Sequence, residues 1–215
     1  MKNSLWIVVW RMNPPHVWHI ELIKKSLKDN KYTLLFIWTK GKKDSKNPFW
    51  FDEIKYFLQL IFSSEIKNKL LIIDEIKDVS WDDIWVKNLF QKIKHNCFAK
   101  TSCSIPSPLG GGLGRGNRKF FNFLTLSNIK NIIFYGGDLK NDYAVLCIKK
   151  YISFFEWYKI LFKELYRYKK VININWKKIN ISSTNLRKAL NDSDSDVFSE
   201  MIDKRMLSEF LKLFS

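Results

Sequence analysis

The chain predicts an α/β fold: an open parallel sheet with helices on both faces. Three observations carry that expectation. Short apolar runs of strand length alternate with segments of helical period through the first half of the sequence. Several of those runs are apolar at consecutive positions, as strands covered on both faces are. The 215 residues, 46% hydrophobic and 27% charged, hold enough apolar material for one core. The same composition excludes a disordered, collagenous or disulfide-framework chain.

Residues 5–10, LWIVVW, give the first strand. A turn with Asn13, Pro14 and Pro15 follows, and Ile20, Leu22, Ile23 and Leu27 then suit a helix over 19–27. Residues 32–38, YTLLFIW, are the second strand; the basic polar loop TKGKKDSKNPF leads from it into a helix over about 52–62. A third strand is expected at 69–73 and a helix at 83–93. Over about 95–119 the period is lost, in a stretch containing SIPSPLGGGLGRGNRK. A phosphate-cradling Walker loop would need a Gly-Lys-Ser/Thr end opening a helix, which Arg115, Gly116 and Asn117 do not supply. The stretch therefore reads as a flexible Gly/Pro-rich insertion in a single domain spanning 1–215. Residues 129–135, IKNIIFY, are a fourth strand ending in Gly136, Gly137 and Asp138. A helix at 142–150, a helical aromatic-rich stretch at 154–168 and a fifth strand at 171–174 follow. Ser182, Ser183 and Thr184 then precede helix formers, an N-terminus signal, and a last helix is expected at 197–214.

Three cysteines, an odd number without a CxxC pair, argue against disulfides and against a zinc site, so no protein-held metal is expected and a reducing cytoplasm is the simplest setting. The apolar start is too short for a secretory segment and is cut off by Arg11, and no run approaches the roughly 18 apolar residues of a membrane span. A net charge of +16 invites nucleic acid or anionic lipid. The lysines are spread along the chain, however, with abundant Asn, Ile and Phe, as in an A+T-rich coding sequence. A generally basic surface serving anionic small substrates is expected, without a nucleic-acid or membrane partner. The sequence leaves monomer and homo-oligomer both open.

Two motifs carry chemistry. WRMNPPHVWHIELI places His16 and His19 directly after the first strand, where a helix begins. Ligands of open parallel sheets bind outside the carboxyl ends of the strands, and a helix N-terminus offers free N–H groups to phosphate. Two imidazoles there can donate hydrogen bonds to phosphate oxygens; the plainer alternative is two surface histidines on a turn. In ISSTNLR, the hydroxyls of Ser182, Ser183 and Thr184 and the N–H groups of a starting helix make an anion nest, with Arg187 one turn on. Alone, that segment could be an N-cap.

RMNPPHVWH resembles the GRFxPxHxGH signature of the nucleotidyltransferase superfamily, and ISSTNLR resembles its ISxTxxR signature. The resemblance spans most of the chain outside the insertion and is closest to the archaeal-type nicotinamide mononucleotide adenylyltransferases. Asn47, Pro48 and Phe49 match that group's NPF, Ile84, Trp85 and Val86 its IWV, Asp78 the upstream Asp, and Gly137 and Asp138 a Gly-Asn pair near the nucleotide. The resemblance implies a Rossmann-like nucleotidyltransferase domain in which ATP, with Mg2+, and nicotinamide mononucleotide give NAD and pyrophosphate. It also implies that no covalent enzyme intermediate forms, so that catalysis would be positioning and charge stabilisation. It assigns His16 and His19 to the ATP phosphates as catalytic residues, with His19 facing the α-phosphate. Ser182, Ser183, Thr184 and Arg187 would bind the other phosphates, with Arg11, Met12, Gly137 and Asp138 also around ATP. It gives Asn47, Asp78 and Trp85 to the nicotinamide nucleotide, Trp85 stacking on its ring; the alternative for Trp85 is a core aromatic. Nicotinate mononucleotide, phosphopantetheine and cytidylyl transfer use the same phosphate motifs and remain alternatives.

The sequence also departs from the family. Nine Trp stand against eight Gly, where average usage would give roughly 15 Gly, and five of the eight lie between 110 and 116. Family glycines appear as Trp10, Trp18 and Trp38, and Trp6 falls where Gly is common. Taken literally, indoles there obstruct a phosphate loop and describe a nucleotide-binding protein with impaired turnover. Glycine codons of the UGA type read as tryptophan account for all four positions at once. Glu53 is followed by Ile54 and Lys55 where the family has Glu-Arg, which removes one arginine.

Overall fold

A computed structural model describes residues 4–98, 131–136, 140, 142–155, 159–164, 182–192 and 194–212. Five strands, β1 (Ser4–Trp10), β2 (Tyr32–Thr39), β3 (Leu71–Lys77), β4 (Asn131–Gly136) and β5 (Lys159–Glu164), form one sheet in the order β3-β2-β1-β4-β5. Every pairing is parallel. The expected α/β class is therefore the observed one. The helices are α1 (Val17–Asp29), α2 (Phe51–Lys67), α3 (Asp82–Phe98), α4 (Tyr143–Lys150), α5 (Ser183–Asn191), α6 (Ser195–Met201) and α7 (Lys204–Lys212).

The continuous apolar runs are explained by two cores, one on each face of the sheet. Leu5, Ile7 and Val9 of β1, Leu34 and Phe36 of β2, and Ile132 and Phe134 of β4 pack with α3 and α4. The alternate residues, Trp6, Val8, Leu35, Ile37, Ile133 and Tyr135, pack with α1, α2 and α5 to α7. Side chains alternate across a strand, so a strand covered on both sides is apolar throughout.

Several expected elements shift. β3 runs on to Lys77 because its charges are satisfied: Asp74 accepts hydrogen bonds from Lys92 Nζ (3.0 Å) and Asn96 Nδ2 (2.8 Å), and Glu75 from Thr39 Oγ1 (2.5 Å). Where a helix is expected over 154–168, the described residues form a 3-10 turn, Ile152–Phe155, and the edge strand β5, while 156–158 and 165–168 lie outside the described residues. The last helix is split, because Asp203 accepts the backbone N–H of Arg205 (3.1 Å) and starts α7 afresh. α3 extends to Phe98, into the expected start of the insertion; the rest of the insertion and the strand expected at 171–174 lie outside the described residues.

With few glycines to turn on, Met12 (φ 42°) and Lys69 (φ 56°) take left-handed backbone conformations. Each costs a residue with a side chain about 1–2 kcal/mol. Met12 lies in the loop after β1, at the sheet's switch point, where β1 separates strands added on opposite sides. The Asn13–Pro14 peptide bond beside it is cis. Among the described residues no helix is long and apolar enough to cross a membrane.

Candidate active site

The loop from β1 delivers His16 as the N-cap of α1 and His19 into its first turn. The His16 backbone N–H donates to His19 Nδ1 (3.2 Å), so His19 carries its proton on Nε2 and is a donor there. The two rings lie 3.8 Å apart between centroids. Neither is a surface histidine, with exposures of 3% and 6%. Burial lowers the His16 pKa to about 3, and burial followed by the neighbouring His16 lowers that of His19 well below 6.5, so both are neutral. His16 Nδ1 is buried with no hydrogen-bond partner among the described residues.

The second motif arrives at the same loop. Ser182 caps α5, its hydroxyl accepting the Asn185 N–H (3.1 Å). The next residue, Ser183, donates its hydroxyl to the Pro14 carbonyl (3.0 Å). Arg187 donates Nη1 to the Asn13 carbonyl (2.7 Å) and Nη2 to Thr184 Oγ1 (3.1 Å). The N-termini of α1 and α5, distant in sequence, are thereby tied to one loop, and the positive dipole end of each helix favours an anion.

A third segment is locked to that loop by Asn13. Its Nδ2 donates to the Phe49 carbonyl (2.9 Å) and its Oδ1 accepts the Phe49 N–H (3.1 Å). Asn47 is buried two residues earlier and held by Asp44 Oδ1 through its backbone N–H (2.7 Å) and Nδ2 (2.8 Å). These bonds hold the Asp44 carboxyl below its ordinary pKa. Burial lowers the Arg187 pKa, and the same Asp44 carboxylate offsets part of that shift.

On the other face of the sheet, Arg11 pairs with Asp78 (3.6 Å), and its guanidinium lies 4.6 Å over the ring of Trp38. Trp38 packs against Trp85 (5.1 Å) and stacks on Tyr143 (5.8 Å, 19° between planes). Tyr143 in turn donates its hydroxyl to Asp82. Trp85 is only 3% exposed, so its ring belongs to the core beside α4, in contact with Trp38.

Of the residues expected at the site, Met12, His16, His19, Ser182, Ser183, Thr184, Arg187 and Asn47 converge around the first loop, whereas Arg11, Asp78 and Trp85 form the second group. Gly137 and Asp138 lie outside the described residues. Asn13, Asp44 and Tyr143 are the structural partners that sequence reading missed. For Asn13 the one available signal was its place between a strand end and two prolines.

Several indoles sit on these groups. Trp10 stands edge-on to His19 (4.9 Å, 76°), and Trp18 is buried in the first turn of α1. Trp6, Trp38 and Trp85 each bury Nε1 with no hydrogen-bond partner among the described residues. An unmet buried donor costs about 1–3 kcal/mol.

No family model and no curated protein matches the chain. Solved structures do match its fold. A bifunctional NMN adenylyltransferase/ADP ribose pyrophosphatase from Francisella tularensis aligns at 16% identity and TM-score 0.56, over 94% of this chain and 44% of that one. The NadR protein in complex with NAD and AMP-PNP aligns at 17% identity and TM-score 0.57, over 96% and 47%. The Francisella tularensis protein complexed with AMP and a manganese ion gives 17% identity and TM-score 0.50, over 94% and 44%. The chain thus has the nucleotidyltransferase α/β fold of these neighbours. It spans less than half the length of each of them.

Proposed function

We propose that this domain is an adenylyltransferase of NAD synthesis, which joins ATP to nicotinamide mononucleotide with release of pyrophosphate. The observation that carries the reading is the convergence of His16, His19, Ser183 and Arg187 on the loop Asn13–Pro14. Two helix N-termini, two neutral imidazoles and a guanidinium around one loop form an electrostatic cradle for a triphosphate. The nicotinamide nucleotides named with the neighbouring structures support the choice of acceptor.

In the reaction, a 5′-phosphate oxygen of the mononucleotide attacks the α-phosphorus of ATP in line, and the bond to pyrophosphate breaks. His19 donates Nε2–H to the α-phosphate as charge builds there, and His16 supports the same phosphate run. Ser182, Thr184 and Arg187 hold the β- and γ-phosphates, so that the leaving pyrophosphate departs already neutralised. Asn47 and Asp78 orient the mononucleotide. Among the described residues no three His, Cys, Asp or Glu side chains come together as a metal cage. In this reading Mg2+ comes with the ATP substrate, carried on its phosphates.

The test is pyrophosphate release from ATP with nicotinamide and with nicotinate mononucleotide, using the chain as written and a form with glycine at 6, 10, 18 and 38. Turnover with the nicotinamide nucleotide is expected in the glycine form; turnover with neither would overturn the assignment. His19→Ala should lower kcat far more than ATP affinity, since its bond strengthens in the transition state. A second reading, a nucleotide-binding protein without turnover, is favoured by the seat of Trp10 on His19. It requires ATP binding without pyrophosphate in both forms.

A further inference from the structure

β3 is the outer strand on its side of the sheet, and among the described residues no strand pairs with its free edge. The Leu70 carbonyl accepts the Thr33 N–H, and the Asp78 N–H donates to the Thr39 carbonyl, so the even-numbered residues of this stretch bond to β2. The N–H and C=O groups of Leu71, Ile73, Glu75 and Lys77 therefore point outward, at the spacing a further strand uses. Of these N–H groups, that of Glu75 is held by the Asp74 carboxylate (2.7 Å), which also accepts from Lys92 and Asn96. Alongside runs a groove of about 390 Å³, floored by residues 74–77 and walled by Asn88, Gln91, Lys92 and His95 of α3. Those four stand at i, i+3, i+4 and i+7, one polar flank of the helix.

Charged edges ordinarily keep strands of separate copies apart. Here the order of the charges decides which pairings are forbidden. In an antiparallel pair of two copies about a twofold axis, centring on Asp74 sets Asp74 against Asp74, and centring on Glu75 sets Glu75 against Glu75. Centring on Ile76 does neither. Ile76 then meets Ile76, each Glu75 meets the partner's Lys77, and each Ile73 meets the partner's Val79, an exposed apolar residue just past the strand. The pair left over, Asp74 with the partner's Asp78, joins carboxylates already bound to Lys92 and Arg11. Among the described residues the Glu75 carboxylate is bound only by the Thr39 hydroxyl, and Lys77 is exposed.

We propose that the β3 edge is the interface of a twofold dimer, in which a second copy of this chain adds its own β3 antiparallel, in the register centred on Ile76, and joins the two sheets into one. The partner's Lys77 carbonyl takes the Glu75 N–H from Asp74, whose two bonds from α3 remain. The even-numbered side chains of the incoming strand stand over the groove, and the two Glu75–Lys77 pairs select the register. The interface needs no ligand and is independent of the adenylyl-transfer reading.

Sedimentation velocity of the full chain over a concentration series reads the association, and a reversible dimer is expected. K77E sets like charges across the axis twice, and so does E75K. Each should raise the dimer dissociation constant about tenfold or more, and E75K/K77E should return it to within about threefold of the original. K77E lowers the net charge of +16 and E75K raises it, so a general charge effect would move the two in opposite directions. Circular dichroism checks that each variant folds. Should E75K not fold, a zero-length carbodiimide applied to a mixture of unlabelled and heavy-isotope chains should still yield mixed-label peptides joining Glu75 to Lys77. A chain that stays monomeric, a dimer indifferent to both reversals, a double variant as weak as the singles, or the absence of that mixed-label link overturns the proposal. So do exchange-protected Ile73 and Lys77 amides in a monomer, which would put another segment of the same chain on the edge.

Discussion

Arg187 donates from its guanidinium to the backbone carbonyl of Asn13, 2.7 Å away, and in doing so fixes the start of α5 against the loop that carries the histidines. A second nitrogen of the same group holds Thr184. The planar fork spans two acceptors at once, which an ammonium cannot do in one geometry.

Replacing Arg187 with Ala should therefore lower kcat/KM in an active form of the chain by about 100-fold or more, the scale of losing one donor to a developing charge. The unfolding midpoint should move little, since only two partly exposed bonds are lost. Arg187→Lys should recover less than half of the lost free energy. Full recovery with Lys would show that charge alone matters; pyrophosphate release and a thermal melt separate the cases.

Asn13 to Ala removes both bonds to Phe49, each of them buried. A loss of about 1–3 kcal/mol is expected in urea unfolding. Asn13→Asp should also be destabilising, because a carboxylate cannot donate to the Phe49 carbonyl. A neutral result for both variants would remove Asn13 as the clamp between the first loop and the 47–49 segment.

Acid should weaken the fold before carboxylates protonate. The folded His16 titrates at about 3 and His19 well below 6.5, while the unfolded chain takes up protons near 6.5. Between those limits the unfolded state binds more protons, so stability rises with pH across the window. It is complete above about pH 6.5 and is lost as pH falls toward 3. Denaturant melts at pH 7 and pH 5 should show the loss, and His16→Asn should flatten it. An equal pH slope in that variant would contradict the burial of a neutral imidazole.

Ser182 to Ala deletes the cap of α5. The expected cost is about 0.5–2 kcal/mol. Amide exchange should speed up in α5 while β1 and β2 keep their protection. Uniform acceleration across the sheet would mean that the cap supports the whole domain rather than one helix.

Much of this structure is legible in the sequence, and the exceptions have physical causes. β1, β2 and β4 announce themselves because both faces are covered and nearly every residue is apolar. β3 and β5 are the two edges of the sheet, and edge strands carry charge: Asp74, Glu75 and Lys77 in one, Lys159, Lys163 and Glu164 in the other. Their apolar signal is accordingly weak, and aromatic neighbours made 154–168 look helical. The two motifs of the candidate site are visible because each is local, His16 with His19 and Ser182 with Arg187. What joins them is not, since the acceptors are the backbone carbonyls of Asn13 and Pro14, and backbone atoms leave no mark on residue identity. The burial of Trp85 against Trp38 likewise depends on how α3 and α4 pack, which no spacing encodes.

The bonds from Ser183 to Pro14 and from Arg187 to Asn13 span 169 and 174 positions of the chain. During synthesis, the first loop leaves the ribosome long before its partners exist. The face of the sheet packed by α3 and α4 has all of its strand and helix residues once β5 has emerged, whereas the opposite face still lacks Leu186, Phe198, Met206 and Phe210. The ties between the first loop and α5 thus form late in synthesis, and until α5 to α7 dock the apolar α1–α2 side is a surface that a chaperone would meet first.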